Sequence, residues 1–87
     1  MARYKVLAET WSTEKSTEHQ PQLFELQCAD ILDTQTNRRY NDGAYRVLVD
    51  GKAPRGKGGT APFLGESSWS DGERFLHDLV MKAAYAR

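Results

Sequence analysis

Between residues 51 and 58 the chain reads Gly51-Lys52-Ala53-Pro54-Arg55-Gly56-Lys57-Gly58, the glycine–four–glycine–lysine spacing of a loop that cradles phosphate. Such a loop needs Ser or Thr after its lysine to hold Mg²⁺, and it must run straight into a helix whose N-terminal amides meet the phosphates. Here Gly58 takes the hydroxyl position, Pro54 removes a backbone donor, and twelve residues lie between Lys57 and the helix cap expected at Ser70. Nucleotide hydrolysis is set aside on those grounds. The cations of the same region support a different chemistry. Lys52, Arg55 and Lys57, with Arg38, Arg39 and Arg46 from the preceding strand region, are placed to contact a partner or to neutralise phosphates, and Tyr40 among them to stack on a base.

Other chemistry-bearing residues reduce to ordinary roles. Glu73 and His77 stand four apart on one helix face, a spacing that can hold a metal, but two ligands do not make a site, and the pair reads as helix surface. Asp30 and Asp33 are three apart in a strand and point to opposite faces, which separates them as acid–base carboxylates. Cys28 reads as a small core residue, because no cationic or helix-terminal setting activates its thiol. His19 lies in a polar stretch and reads as a surface residue. No nucleophile–base–orienter set follows from the spacing, so we expect neither an enzyme nor a metal or cofactor.

Composition bounds the rest. At 87 residues, 39% apolar and 28% charged, the chain makes one folded domain with a small core. The net charge is zero but unevenly spread: residues 1–37 carry −3, residues 38–57 carry +4 and residues 58–87 carry −1. A dedicated nucleic-acid domain is usually basic throughout, so neutrality counts against that role while the local excess leaves room for a polyanion on one face. The single cysteine excludes an intramolecular disulfide, the N-terminus shows no signal-peptide run, and no stretch is apolar enough to span a membrane. A cytoplasmic protein is expected.

These residues need elements to hold them. Residues 3–11 alternate as a half-buried strand with Tyr4, Val6 and Ala8 on one face. Residues 12–21 are wholly polar, end at Pro21 and read as an exposed, mobile connection. In residues 22–33 the apolar positions Phe24, Leu26 and Cys28 give way to Ala29 and Ile31, a change of face that predicts a β-bulge in this strand. Residues 33–37 read as a turn. Asp42-Gly43 is the strongest local signal for a hairpin or bulge, leaving open whether residues 38–50 are one strand or two. Five of the seven glycines fall in residues 51–68, read as a long loop whose basic tip is free and whose Phe63 tucks back onto the core. Ser70-Asp-Gly-Glu73 matches a capping box, with Trp69 packing ahead of it as a staple. The stripe Phe75, Leu76, Leu79, Val80, Ala83 and Ala84 then makes an amphipathic helix. The expected architecture is α+β: three or four antiparallel strands, with one C-terminal helix on the face of Tyr4, Val6, Tyr45, Val47 and Val49.

Function follows from what is left. The favoured expectation is a small non-enzymatic protein acting through another protein, of the kind phages and mobile elements use to modulate a host factor. Such a protein would work as a monomer or homodimer. The alternative is a module that grips a nucleic-acid backbone through the basic strand and glycine loop.

Overall fold

The computed structural model describes residues 3–19, 21–54 and 61–85. Five antiparallel strands and one helix follow in the order β1 (Tyr4–Val6), a 3₁₀ turn (Ala8–Thr10), β2 (Ser12–His19), β3 (Gln22–Asp33), β4 (Arg38–Val49), β5 (Phe63–Leu64) and α1 (Ser68–Tyr85). The α+β class and the C-terminal helix are as expected from the sequence; the sheet has more strands. β3 is its axis, flanked on one side by β1 and β2 in tandem and on the other by β4, which carries β5 on its outer edge.

The polar stretch 12–21 is a correction. Residues 12–19 pair with β3 from Ser12↔Cys28 to His19↔Gln22, with Glu14 bulged out between Thr13 and Lys15. An edge strand has one neighbour and much of its surface in water, so it needs no apolar alternation and is blunted by charge. Its side chains bond instead: the Thr13 hydroxyl donates to Glu25 at 2.9 Å, and Lys15 meets Glu73 of α1 at 3.0 Å. The first strand is correspondingly shorter than residues 3–11. The chain leaves it at Leu7, whose N–H donates to the Asp30 carbonyl, and the 3₁₀ turn hands it on to β2.

Two apolar clusters occupy opposite faces. Phe24, Leu26 and Cys28 of β3 pair with Val49, Val47 and Tyr45 of β4, and onto this face pack Leu76 with Phe75, Leu79, Val80 and Ala83 of the helix. Ala29 and Ala44, the next pair, point the other way and are covered with Ile31 by Tyr4, Val6 and Trp11. Tyr4 and Val6 therefore do not lie under the helix, and Ala84 faces solvent. The change of face read along β3 is not an irregularity of β3 itself. Both faces are covered, so consecutive residues Cys28 and Ala29 are both buried. The register shift is taken up by β4, where Asn41, Asp42 and Gly43 stand opposite Asp30 alone. Arg38–Val49 is thus one strand with a bulge, and Asp42 holds the left-handed conformation the bulge needs (φ 55°).

The hairpin turn is the second Asp-Gly. Asp50 (φ 53°) and Gly51 (φ 78°) form a two-residue turn of the primed type, with reciprocal hydrogen bonds between Val49 and Lys52. Were that register to continue, the residue four beyond Lys52 would oppose Tyr45; Phe63 stands there instead, seven residues later. The stretch read from sequence as one long loop thus contains a short strand, β5, paired with Tyr45 and Ala44. Phe63 does tuck back, its ring 6.0 Å from that of Phe75 in a T-shaped contact.

The helix begins at Ser68, ahead of the expected cap at Ser70. The Ser67 carbonyl accepts from the Asp71 N–H at 2.9 Å and its hydroxyl donates to the Asp71 carboxylate at 3.1 Å, which makes Ser67 the entry residue. Glu73, freed from capping, pairs with Lys15. Gly72 sits where the helix presses closest to the sheet, since a Cβ there would lie 2.9 Å from Leu26 and 3.1 Å from Tyr45.

Candidate functional site

Of the basic residues named from sequence, the four that are described, Arg38, Arg39, Arg46 and Lys52, do not converge. Arg38 and Lys52 stand at opposite ends of β4, roughly 35 Å apart at the rise of an extended strand. Arg39 is engaged by Asp30, whose Oδ2 accepts from Nη2 at 2.6 Å and from Nε at 3.2 Å. Arg46 lies flat over the Trp11 ring, its guanidinium carbon 4.0 Å from the centroid, and Nε donates to Gln27 Oε1 at 2.8 Å. Desolvation there lowers the guanidinium's pKa, as expected for a cation enlisted in packing. Arg38 is exposed, and so is Lys52. Arg55 and Lys57 lie outside the described residues. Cys28 is buried beneath the helix face, where burial pushes its thiol pKa up against the smaller effect of Ser12. Tyr45, beside it, is pushed up by burial and then by Glu14. Among the described residues no group of three His, Cys, Asp or Glu side chains is placed to hold a metal ion, and no helix is long and apolar enough to cross a membrane.

Tyr40, another residue named from sequence, lies in a concavity. A groove of about 320 Å³ is lined by Tyr4, Ile31, Tyr40, Asn41, Asp42 and Gly43, and closed by Gly65, Glu66, Ser68 and Trp69. Strand register builds one wall: Val6 and Tyr40 both oppose Ile31, and Tyr4 stands two pairs further along, opposite Asp33. The bulge of β4 builds the floor, and the entry to α1 builds the other wall. Trp69 is 50% exposed and Tyr40 is 40% exposed. Trp69 was expected to staple the first turns of the helix; half its surface faces the groove and solvent instead. Nothing in the local sequence marks that, since an aromatic beside a cap reads equally as a staple.

Two aspartates hold the groove in shape. Asp30 accepts the Asp42 N–H at 3.0 Å with Oδ1 while Arg39 holds Oδ2, so one carboxylate fixes the bulge. Asp33 is fully buried; its Oδ2 accepts from Arg3, and its Oδ1 accepts the N–H groups of Gln35 and Thr36, closing the β3–β4 turn. Arg3 in turn covers the Tyr4 ring at 5.5 Å. Arg39 first, then the Asp42 N–H, hold the Asp30 carboxyl below the ordinary range; for Asp33, Arg3 acts first, against burial. A carboxylate whose folded pKa is depressed adds stability above its unfolded pKa and loses it as pH falls toward the folded value. The urea midpoint is therefore expected to fall as pH drops below about 4, the ordinary carboxylate range. An Asp30→Asn/Asp33→Asn variant should be weaker at neutral pH and show a flatter acid limb. An unchanged acid limb would remove both carboxylates from the account.

No protein-family model, curated protein or solved structure matches the chain.

Proposed function

We propose that the protein is a non-enzymatic binding module whose groove of Tyr4, Tyr40 and Trp69 docks a segment of another protein. The observation that carries this reading is the exposure of Trp69 and Tyr40 at the mouth of a concave site on ordered elements. Tyr and Trp are the residues most enriched among energetic anchors of interfaces. Covering the exposed half of each ring is worth about 2 kcal/mol at the usual surface coefficient. Support against catalysis comes from Cys28, buried with its thiol held protonated. The unpaired cysteine also suits the reducing cytoplasm. A backbone-tracking nucleic-acid role draws less support, because Arg39 and Arg46 are already engaged and the remaining described cations of the set are far apart.

The test is a random-peptide selection on the purified chain. Enriched peptides should bind wild type and lose at least about tenfold in affinity, or about 1.4 kcal/mol, against Tyr40→Ala/Trp69→Ala. His77→Ala, on the exposed helix surface, should leave them unchanged. Circular dichroism confirms that the variants remain folded. Peptides that bind the double variant equally well, or a selection that enriches none, would overturn the groove as the docking site.

A further inference from the structure

The lining of the groove also carries a charge. Of its ten residues only Asp42 and Glu66 carry acidic or basic side chains, and both are acidic. Three aromatic rings, Tyr4, Tyr40 and Trp69, share the same concavity. The face of an aromatic ring is the negative pole of its quadrupole, so rings grouped around a pocket with carboxylates at hand attract a cation. Arg3 lies over the Tyr4 ring in the same mode and is paired with Asp33, and Arg39 beside the bulge is paired with Asp30, so neither is free to repel a second cation. The amino end of α1 is a partial positive charge beside the site. Asp71 in the first turn and Glu66 just before it offset that charge, and Glu66 has no ion pair among the described residues. Gly43 keeps the floor open: a Cβ there would lie 2.5 Å from Ile31, leaving no room for a side chain between bulge and strand.

We infer that the partner's anchor in this groove is a basic side chain, lysine or arginine, received by the aromatic rings with Glu66 at the rim. This rests on the groove being the docking site proposed above. It adds the chemistry of what enters.

The experiment uses the full chain labelled with ¹⁵N and two capped tripeptides, acetyl-Gly-Arg-Gly-amide and its neutral isostere acetyl-Gly-citrulline-Gly-amide. The arginine peptide should shift the Trp69 indole and the amides of Tyr40 to Gly43 saturably, with millimolar affinity fitting so small a ligand. The citrulline peptide should bind at least about tenfold more weakly. Glu66→Gln, an exposed change that leaves the fold intact, should weaken the arginine peptide severalfold and the citrulline peptide hardly at all. Equal shifts from both peptides would sink the cation inference while leaving the groove a docking site. If neither peptide moves these resonances while library peptides lose affinity on Tyr40→Ala/Trp69→Ala, the basic anchor is likewise wrong and the docking reading stands. If the library peptides are insensitive to that variant, both fail.

Discussion

Leu26→Ala is expected to lower the unfolding free energy by about 2–5 kcal/mol, the range for truncating a fully buried leucine. A chain of this length has roughly 4–13 kcal/mol in total, so the loss is a large share of what holds the domain together. Leu26 is fully inaccessible, sits at the centre of the β3 face under the helix, and is the side chain that Gly72 lets α1 approach most closely. Truncation opens a void that neither neighbour can close: Val47 is β-branched, stiff and fully buried, and Gly72 has no side chain to swing inward. The melting temperature should fall by roughly 10–30 °C. Leu26→Met, which conserves volume, should cost less than about 1.5 kcal/mol. If both variants melt within a few degrees of wild type, the helix does not depend on this contact.

The second large effect is expected at Gly43, where Ala should cost about 1–3 kcal/mol by overpacking. The added methyl would stand 2.5 Å from both Cγ1 and Cδ1 of Ile31, which is itself 2% exposed and hemmed in by Tyr4 and Val6. This predicts strong coupling between the two positions. In an Ile31→Ala background, itself destabilised, Gly43→Ala should be neutral or stabilising, because its methyl then enters the space Ile31 has vacated. Denaturant midpoints of the four members of the cycle decide it. Additive losses would mean that Gly43 is required for its backbone conformation rather than for the close approach of Ile31.

What could be read in advance divides along physical lines. Apolar periodicity found β3, the Tyr45–Val49 end of β4 and the stripe of α1, because those residues bury one face and the period records it. It missed β2, since a polar edge strand is held by ladder hydrogen bonds and by contacts such as Lys15–Glu73, 58 residues apart in sequence. It found the change of face at Cys28–Ala29 but assigned it to an irregularity of β3, because one strand cannot reveal that its opposite face is also covered. Local turn chemistry marked Asp42-Gly43 as hairpin or bulge and passed over Asp50-Gly51: the first is a bulge and the second the hairpin. The pairing partners decided, with Asp30 clamping the first and Val49–Lys52 closing the second. Of the candidate site, Tyr40 was legible as a surface aromatic among cations. The cations were not legible as engaged, because Asp30 lies nine residues from Arg39 and Trp11 lies on another element altogether. Tyr4 and Trp69 come from the first strand and the helix entry, far apart in sequence, and only the fold brings them to one groove.

Lys52 and Phe63 stand at fixed stations on β4, opposite Val49 and Tyr45, so the segment between them begins and ends where the sheet sets it. Closing a longer loop between stations that are set by the sheet adds only about 0.6 kcal/mol for each doubling of length. Mutation can therefore rewrite, shorten or extend this segment with little consequence for the scaffold, whereas the groove of Tyr4, Tyr40 and Trp69 is tied to the bulge and the helix entry and cannot drift. The fold thus joins a groove fixed by the sheet to a stretch whose length the sheet does not fix. Insertions between Lys52 and Phe63 should therefore be tolerated far better than insertions at the bulge or at the helix entry.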